Sequence, residues 1–201
     1  MKVVITEAYR AEQASLHANG NYGNMGVKYG ALISALLRST GAKSLLDYGC
    51  GSRRSLLKTL ELPPDAVYEG YDPAVPAYAD RPLPAELVCC IDVLEHIEPD
   101  LLDNVLDDLA ELCDPFGFFT VHSGPAIKVL SDGRNAHLTQ QGREWWLPRL
   151  EQRFNVLCIK PIAAGFCVMV TTRNSAFGAS FPQHVAAPLA ESGPATVSSA
   201  D

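Results

Sequence analysis

The 201-residue chain has a formal charge of −7 and is 47% hydrophobic and 19% charged, the balance of one soluble domain long enough to bury a sizeable core. No window reaches the roughly 18 uninterrupted apolar residues of a membrane span, and residues 1–10 lack the apolar segment and cleavage site of a secretion signal, so no membrane partner and a cytoplasmic location are expected. The acidic balance disfavours extended contact with nucleic acid and favours a small-molecule substrate. Six cysteines set mostly in apolar runs, without a C-x-x-C pair, read as buried thiols and make a cysteine zinc site improbable.

The glycine-rich stretch LHANGNYGNMG (16–26), with Tyr9 before it and His17 within it, is expected outside the core, as part of an N-terminal flap (1–24) folded over the ligand. From Met25 to Thr40, Tyr29, Leu32, Ile33, Leu36 and Leu37 recur at helical spacing, and Gly41 stands where a left-handed cap falls. SLLDYG (44–49) is too short and apolar for a surface helix and reads as a strand. Beyond its glycines, Leu56, Leu57 and Leu60 return at helical spacing until Pro63-Pro64, which predicts a strand, a glycine turn and a helix beginning near Ser52. AVYEGYD (66–72) alternates, and ELVCCI (86–91) is a continuous apolar run of the kind covered on both faces; both read as parallel strands.

Between Pro99 and Cys113 an apolar stripe (Leu101, Leu102, Val105, Leu106, Leu109, Leu112) opposes an acidic row that reads as a solvated face. GFFTVHS (117–123) is a fourth strand, REWWLPRLEQRF (143–154) a helix, and residues 155–160 and 166–172 a closing hairpin around Pro161 and Gly165. Adjacent Trp145 and Trp146 predict one ring in the core and one at a pocket rim. Arg134, Arg143, Arg149 and Arg153 read as a solvated set or a local anion patch. Strands alternating with helices predict a doubly wound, Rossmann-like α/β sheet, parallel except at its last strand and spanning residues 1–173. The Ala/Ser/Pro-rich segment 174–201 is expected to be a disordered tail.

In an open parallel sheet, ligands bind beyond the carboxyl ends of the strands. Gly49 and Gly51 fall there, and Asp72 closes the next strand where a carboxylate can accept the hydroxyls of a ribose. A nicotinamide site needs a third glycine where this chain has Arg54. Asp47, two residues before the first glycine, suits a cationic ligand rather than a pyrophosphate.

At these residues the sequence resembles the class I S-adenosylmethionine-dependent methyltransferases: LLDYGCG is similar to their first motif, YDPA to the strand end carrying the ribose acid, and LVCCIDVLEHI to their fourth-strand block. The resemblance covers residues 25–172. It implies S-adenosyl-L-methionine as cofactor, with Asp47, Gly49 and Gly51 along its methionine part, Asp72 on its ribose and Asp92 nearby. The family places a helix and a third strand after the ribose acid, but the stretch from Pro73 to Ala85 is too short for both. The sheet edge is expected to be abbreviated, leaving Asp80 a weak candidate for the adenine-contacting acid.

In IDVLEHIEP, Asp92, Glu95 and His96 stand at i, i+3 and i+4, so one helical turn would project all three to one side. Two carboxylates and an imidazole, with His137 of DGRNAHL as a fourth ligand, suit a divalent metal. The pattern is similar to the E-x-x-E-H plus downstream histidine of metal-dependent small-RNA 2′-O-methyltransferases and ubiquinone-pathway O-methyltransferases. Metal-free enzymes carry a similar LEH, where these residues position substrate or act as base. The expected catalytic residues are Glu95, His96 and His137, and the expected reaction is O-methylation of a small or terminal acceptor. His122 reads as a satisfied strand-edge histidine. Transfer of another cofactor group, a non-catalytic cofactor-binding module and a nicotinamide oxidoreductase stay open as rivals, and the acceptor and oligomeric state are not set by the sequence.

Overall fold

A computed structural model describes residues 2–18, 23–175 and 188–189. Its centre is one six-stranded sheet of β1 (Ser44–Tyr48), β2 (Val67–Tyr71), β3 (Ala85–Ile91), β4 (Cys113–His122), β5 (Phe154–Ile162) and β6 (Gly165–Thr172), in the order β2-β1-β3-β4-β6-β5. β1, β2, β3 and β4 pair in parallel; β6 enters antiparallel between β4 and β5, as the sequence predicts. Pro161, which cannot donate to a ladder, lies in edge strand β5.

Adjacent apolar residues in the strands supply opposite faces, which is why the runs read as continuous rather than alternating. Leu46, Cys90 and Phe119 pack with Leu102, Val105, Leu106 and Leu109 of α3 (Leu102–Leu112) and with Trp146 of α4 (Arg143–Glu151). Leu45, Cys89 and Phe118 pack instead with Ile33, Leu36 and Leu37 of α2 (Gly30–Thr40). The left-handed cap at Gly41 stands as expected, its N–H donating to Leu37 O at 3.0 Å. Leu189, in the segment expected to be a disordered tail, is buried on the α2 face; residues 176–187 and 190–201 lie outside the described residues.

Two expectations need correction. The α-helix predicted after the glycine turn is a single 3-10 turn, Ser55–Lys58. Arg54, just before that turn, has a left-handed backbone, and the turn itself is pinned from the other side. A Cβ on Gly30 would lie 2.5 Å from the carbonyl carbon of Thr59, so the α2 N-terminus sits directly on this turn. The helix expected from Met25 is likewise a 3-10 turn, Met25–Lys28, before α2 begins. The N-terminal segment contains a helix, α1 (Glu7–Ala18), with Tyr9 and Gln13 buried, while the described residues of 16–26 are exposed or half-buried; residues 19–22 of the expected flap lie outside the described residues.

The abbreviated edge is present. Between β2 and β3 there is only a 3-10 turn, Pro76–Tyr78, so β2 is the edge strand. Asp80 is exposed on this connection and does not line the cavity described below.

Candidate active site

The turn after β1 needs glycine for two reasons. Gly49 has φ 80°, and a Cβ there would lie 2.3 Å from Val93 Cγ2. The N–H groups of Gly49 and Cys50 both donate to Tyr71 O, and Gly51 N–H donates to Asp72 Oδ2 at 3.0 Å, tying the turn to the end of β2. Asp72 Oδ1 accepts from Ala74 N at 2.9 Å. His17 Nε2 of α1 approaches Asp72 Oδ2 to 3.7 Å, and burial lowers the pKa of that imidazole despite the acid beside it.

Asp47 is placed otherwise than expected. Its Oδ2 accepts from the Tyr68 hydroxyl at 2.9 Å, and its Oδ1 from the Cys89 thiol at 3.6 Å. The side chain is buried inside the sheet and does not line the cavity beside Asp72. Burial drives its pKa up from 3.8 to about 6, against the pull of the tyrosine and thiol donors, with Asp72 adding a smaller push.

That cavity is bounded by α1 on one side and the carboxyl ends of β1, β2 and β3 on the other. Tyr9, Gln13, His17, Gly49, Asp72 and Val93 are among its walls.

Beyond β3 the chain turns sharply: Asp92 has φ 58°, a left-handed backbone held by its N–H donating to Thr120 Oγ1 at 2.9 Å. A 3-10 turn, Leu94–His96, replaces the α-helical turn assumed from the sequence and separates the expected quartet. Asp92, Glu95 and His137 each offer a ligand atom, and these atoms lie within 4.8 Å of one another. His96 is not in that set. Its Nδ1 lies 2.8 Å from Ala136 O, its ring meets His137 edge-on at 4.6 Å, and it lines the α1 cavity instead. Burial, its largest influence, pushes the His96 pKa down to about 4.

Glu95 is fully buried. Oε1 accepts from the His122 backbone N–H at 2.6 Å, while Oε2 completes no hydrogen bond. Burial first, and the Asp92 charge second, hold its pKa well above the carboxylate range. His137 is delivered by the loop after β4. Asn135 fixes that loop by exchanging hydrogen bonds with Ala126 and accepting from His137 N–H. His137 Nδ1 lies 2.7 Å from Gly124 O; because a carbonyl only accepts, Nδ1 carries a proton and donates it there.

Residues missed by the sequence reading join these. The His122 ring lies 4.7 Å from that of His137 and shares Gly124 with it, closer to the chemistry than a simple edge histidine. Tyr9 and Gln13 reach the cavity from α1; their i, i+4 spacing was the only signal, weakened by a glutamine on the inner face. Trp146 is core as expected, but Trp145 lies under the Arg149 guanidinium, 3.5 Å from its ring centre, not at the cavity. Arg153 pairs with Asp103 and Asp107, Arg134 with Asp132 and Arg143 with Glu144, so these arginines form no anion patch.

The Methyltransferase domain family matches residues 23–162, which include the glycine turn, Asp72, the Asp92–Glu95 turn and His137. The chain belongs to the class I S-adenosylmethionine-dependent methyltransferases. No curated protein matches it in sequence. Among solved structures, this methyltransferase is similar to a 1,6-didemethyltoxoflavin-N1-methyltransferase of Burkholderia thailandensis bound to 1,6-didemethyltoxoflavin and S-adenosylhomocysteine. The TM-score is 0.58 at 15% identity, covering 86% of this chain and 92% of that one. An O-methyltransferase family protein from the same organism gives 0.58 at 13%, covering 83% and 64%. Human N-acetylserotonin methyltransferase in complex with S-adenosylmethionine gives 0.53 at 14%, covering 85% and 57%. At these identities the likeness is one of fold, and both nitrogen and oxygen acceptors occur among the neighbours. No helix among the described residues is long and apolar enough to cross a membrane.

Proposed function

We propose that this methyltransferase moves the methyl group of S-adenosylmethionine to a hydroxyl of a small acceptor lying over Asp92, Glu95 and His137. The observation that carries the oxygen assignment is the state of His137. Its Nδ1–H is committed to Gly124 O, which leaves Nε2 as the nitrogen of the neutral ring that can take a proton, and the side chain stands with the Asp92 and Glu95 carboxyl groups. The reaction is an in-line displacement at a carbon on cationic sulfur, so holding the two reactants aligned carries much of the rate. The glycine turn and Asp72 hold the cofactor's ribose and methionine, while His137 takes the hydroxyl proton. Asp92 then lies within Coulombic reach of the imidazolium that forms.

The same three side chains fit a divalent cation. They supply two carboxyl groups and one imidazole, and Glu95 Oε2 is a buried oxygen that a cation would satisfy. When bound there, the ion would lower the pKa of the acceptor hydroxyl.

Calorimetric titration with S-adenosylmethionine and S-adenosylhomocysteine tests the cofactor assignment, which predicts binding to the wild type and a loss of at least tenfold in Asp72→Ala. Absence of binding to the wild type overturns it. Titration with Mn²⁺ tests the cation site; the expected result is binding that His137→Ala removes, and wild-type protein that takes up no ion leaves His137 acting alone.

A further inference from the structure

The sheet lacks the strand and helix expected beyond β2, and α1 packs over the carboxyl ends of the strands, with Ile5 and Tyr9 against Ala74, Leu130 and Ala136. Tyr9 anchors this helix through a 2.8 Å hydrogen bond from its hydroxyl to His96 O. At its other end His17 stands 3.7 Å from Asp72 and against the glycine turn, where a Cβ on Gly51 would meet its ring at 3.2 Å. Beneath α1 the cavity runs from Gly49 and Asp72 to Val93, Ile97 and Val105, a mostly apolar slot that Asp72 and Glu98 also line.

One wall group is out of keeping with that slot. Gln13 is 7% exposed, yet its Nε2 completes no hydrogen bond; the Tyr9 phenol is near enough to feel it but not placed to accept from it. A buried amide donor left unsatisfied costs stability, so it stands here at the expense of the ligand-free protein.

This inference rests on the cofactor reading above. A ribose held at Asp72 with its methionine arm toward Gly49 and Gly51 must send its base the other way, into the slot. A purine is a flat apolar body with a polar edge. A carboxamide matches the N6/N7 edge of adenine: its N–H donates to N7 and its carbonyl accepts from the amino group, whereas hypoxanthine shows two acceptors on that edge. We propose that Gln13 of α1 reads the adenine edge of the cofactor, so that the N-terminal helix takes over nucleobase selection from the missing sheet edge.

The test compares S-adenosylhomocysteine with S-inosylhomocysteine, whose base carries an oxygen in place of the amino group, by calorimetry on wild type, Gln13→Leu and Gln13→Glu. The wild type is expected to prefer S-adenosylhomocysteine by tenfold or more. Gln13→Leu is expected to lose about tenfold in affinity for S-adenosylhomocysteine and to keep less than threefold preference, with a melting temperature equal to or above wild type. Gln13→Glu keeps the side-chain size but loses the amide donor, and should lose the preference alike, with a lower melting temperature because it buries a carboxylate. A merely structural role would lower the melting temperature and leave the preference intact, which would overturn the proposal, as would a wild type that binds both ligands equally. Wild type that binds neither ligand removes the cofactor reading and this inference together. Binding that depends on Asp72 but not on Gln13 removes the inference alone.

Discussion

The Tyr68 hydroxyl donates to Asp47 Oδ2 at 2.9 Å, so the acid preceding the glycine turn is held within the sheet and not in the open. The hydrogen bond does not offset the burial, and the pKa rises from 3.8 to about 6. Between those two pH values the folded protein retains a proton that the unfolded chain has released, so stability falls as pH rises from about 4 to about 6 and stays lowered above it. A shift of this size corresponds to about 3 kcal/mol as an upper bound. Asp47→Asn should therefore be more stable than wild type at pH 8, by about 1–3 kcal/mol in urea unfolding, with little gain at pH 4. Because Asp47 does not line the cavity beside Asp72, the variant should bind S-adenosylhomocysteine as the wild type does. Equal stability at pH 8 would contradict the burial argument.

What the sequence made legible follows from the range of the forces involved. Strand runs such as ELVCCI and the 49/51/72 constellation are local patterns read by one element at a time, and their positions hold. Asp47 was misoriented because its partners, Tyr68 and Cys89, come from neighbouring strands and are joined to it only by sheet register. The Asp92–Glu95–His96 face was misjudged because i, i+3, i+4 geometry assumes 3.6 residues per turn, whereas the 3-10 turn there swings His96 away toward Ala136. The role of α1 had no local signature, since its inner face is defined by a gap elsewhere in the sheet.

Gly49→Ala combines two costs, a left-handed backbone and a Cβ 2.3 Å from Val93 Cγ2. Together these should destabilise by about 2–4 kcal/mol. Adding Val93→Ala removes the clash but not the backbone cost. The double variant should therefore recover about 1–2 kcal/mol relative to additivity in a double-mutant cycle. Strict additivity would show that Val93 is not what the glycine avoids.

Asp108 belongs to the α3 row read as solvated, yet it is buried. Oδ1 accepts from Arg81 Nε and Nη2 at 3.0 and 2.8 Å, and Oδ2 accepts from the Tyr48 hydroxyl at 3.1 Å. Asp108→Ala strands the Tyr48 hydroxyl and leaves Arg81 with Glu111 alone, and should cost about 2–3 kcal/mol, reduced from a fully buried pair because Arg81 is partly exposed, whereas Asp108→Asn should cost about 1 kcal/mol. Equal losses in urea unfolding would mean that packing, not the donors, dominates.

Glu95 is the side chain at which fold and chemistry separate most cleanly. Oε1 accepts the His122 N–H at 2.6 Å in the interior, so Glu95→Ala should leave that donor unpaired and open a hole, costing about 2–4 kcal/mol. Glu95→Gln keeps both the volume and the acceptor. Its stability should fall within about 1 kcal/mol of wild type, and its affinity for S-adenosylhomocysteine should be unchanged because Glu95 does not line the cavity beside Asp72. If the acid acts with Asp92 and His137, methyl transfer by Glu95→Gln should nonetheless fall by at least tenfold in kcat with little change in the cofactor KM. A variant that folds, binds and turns over normally would confine Glu95 to the role of a buried strap for the end of β4.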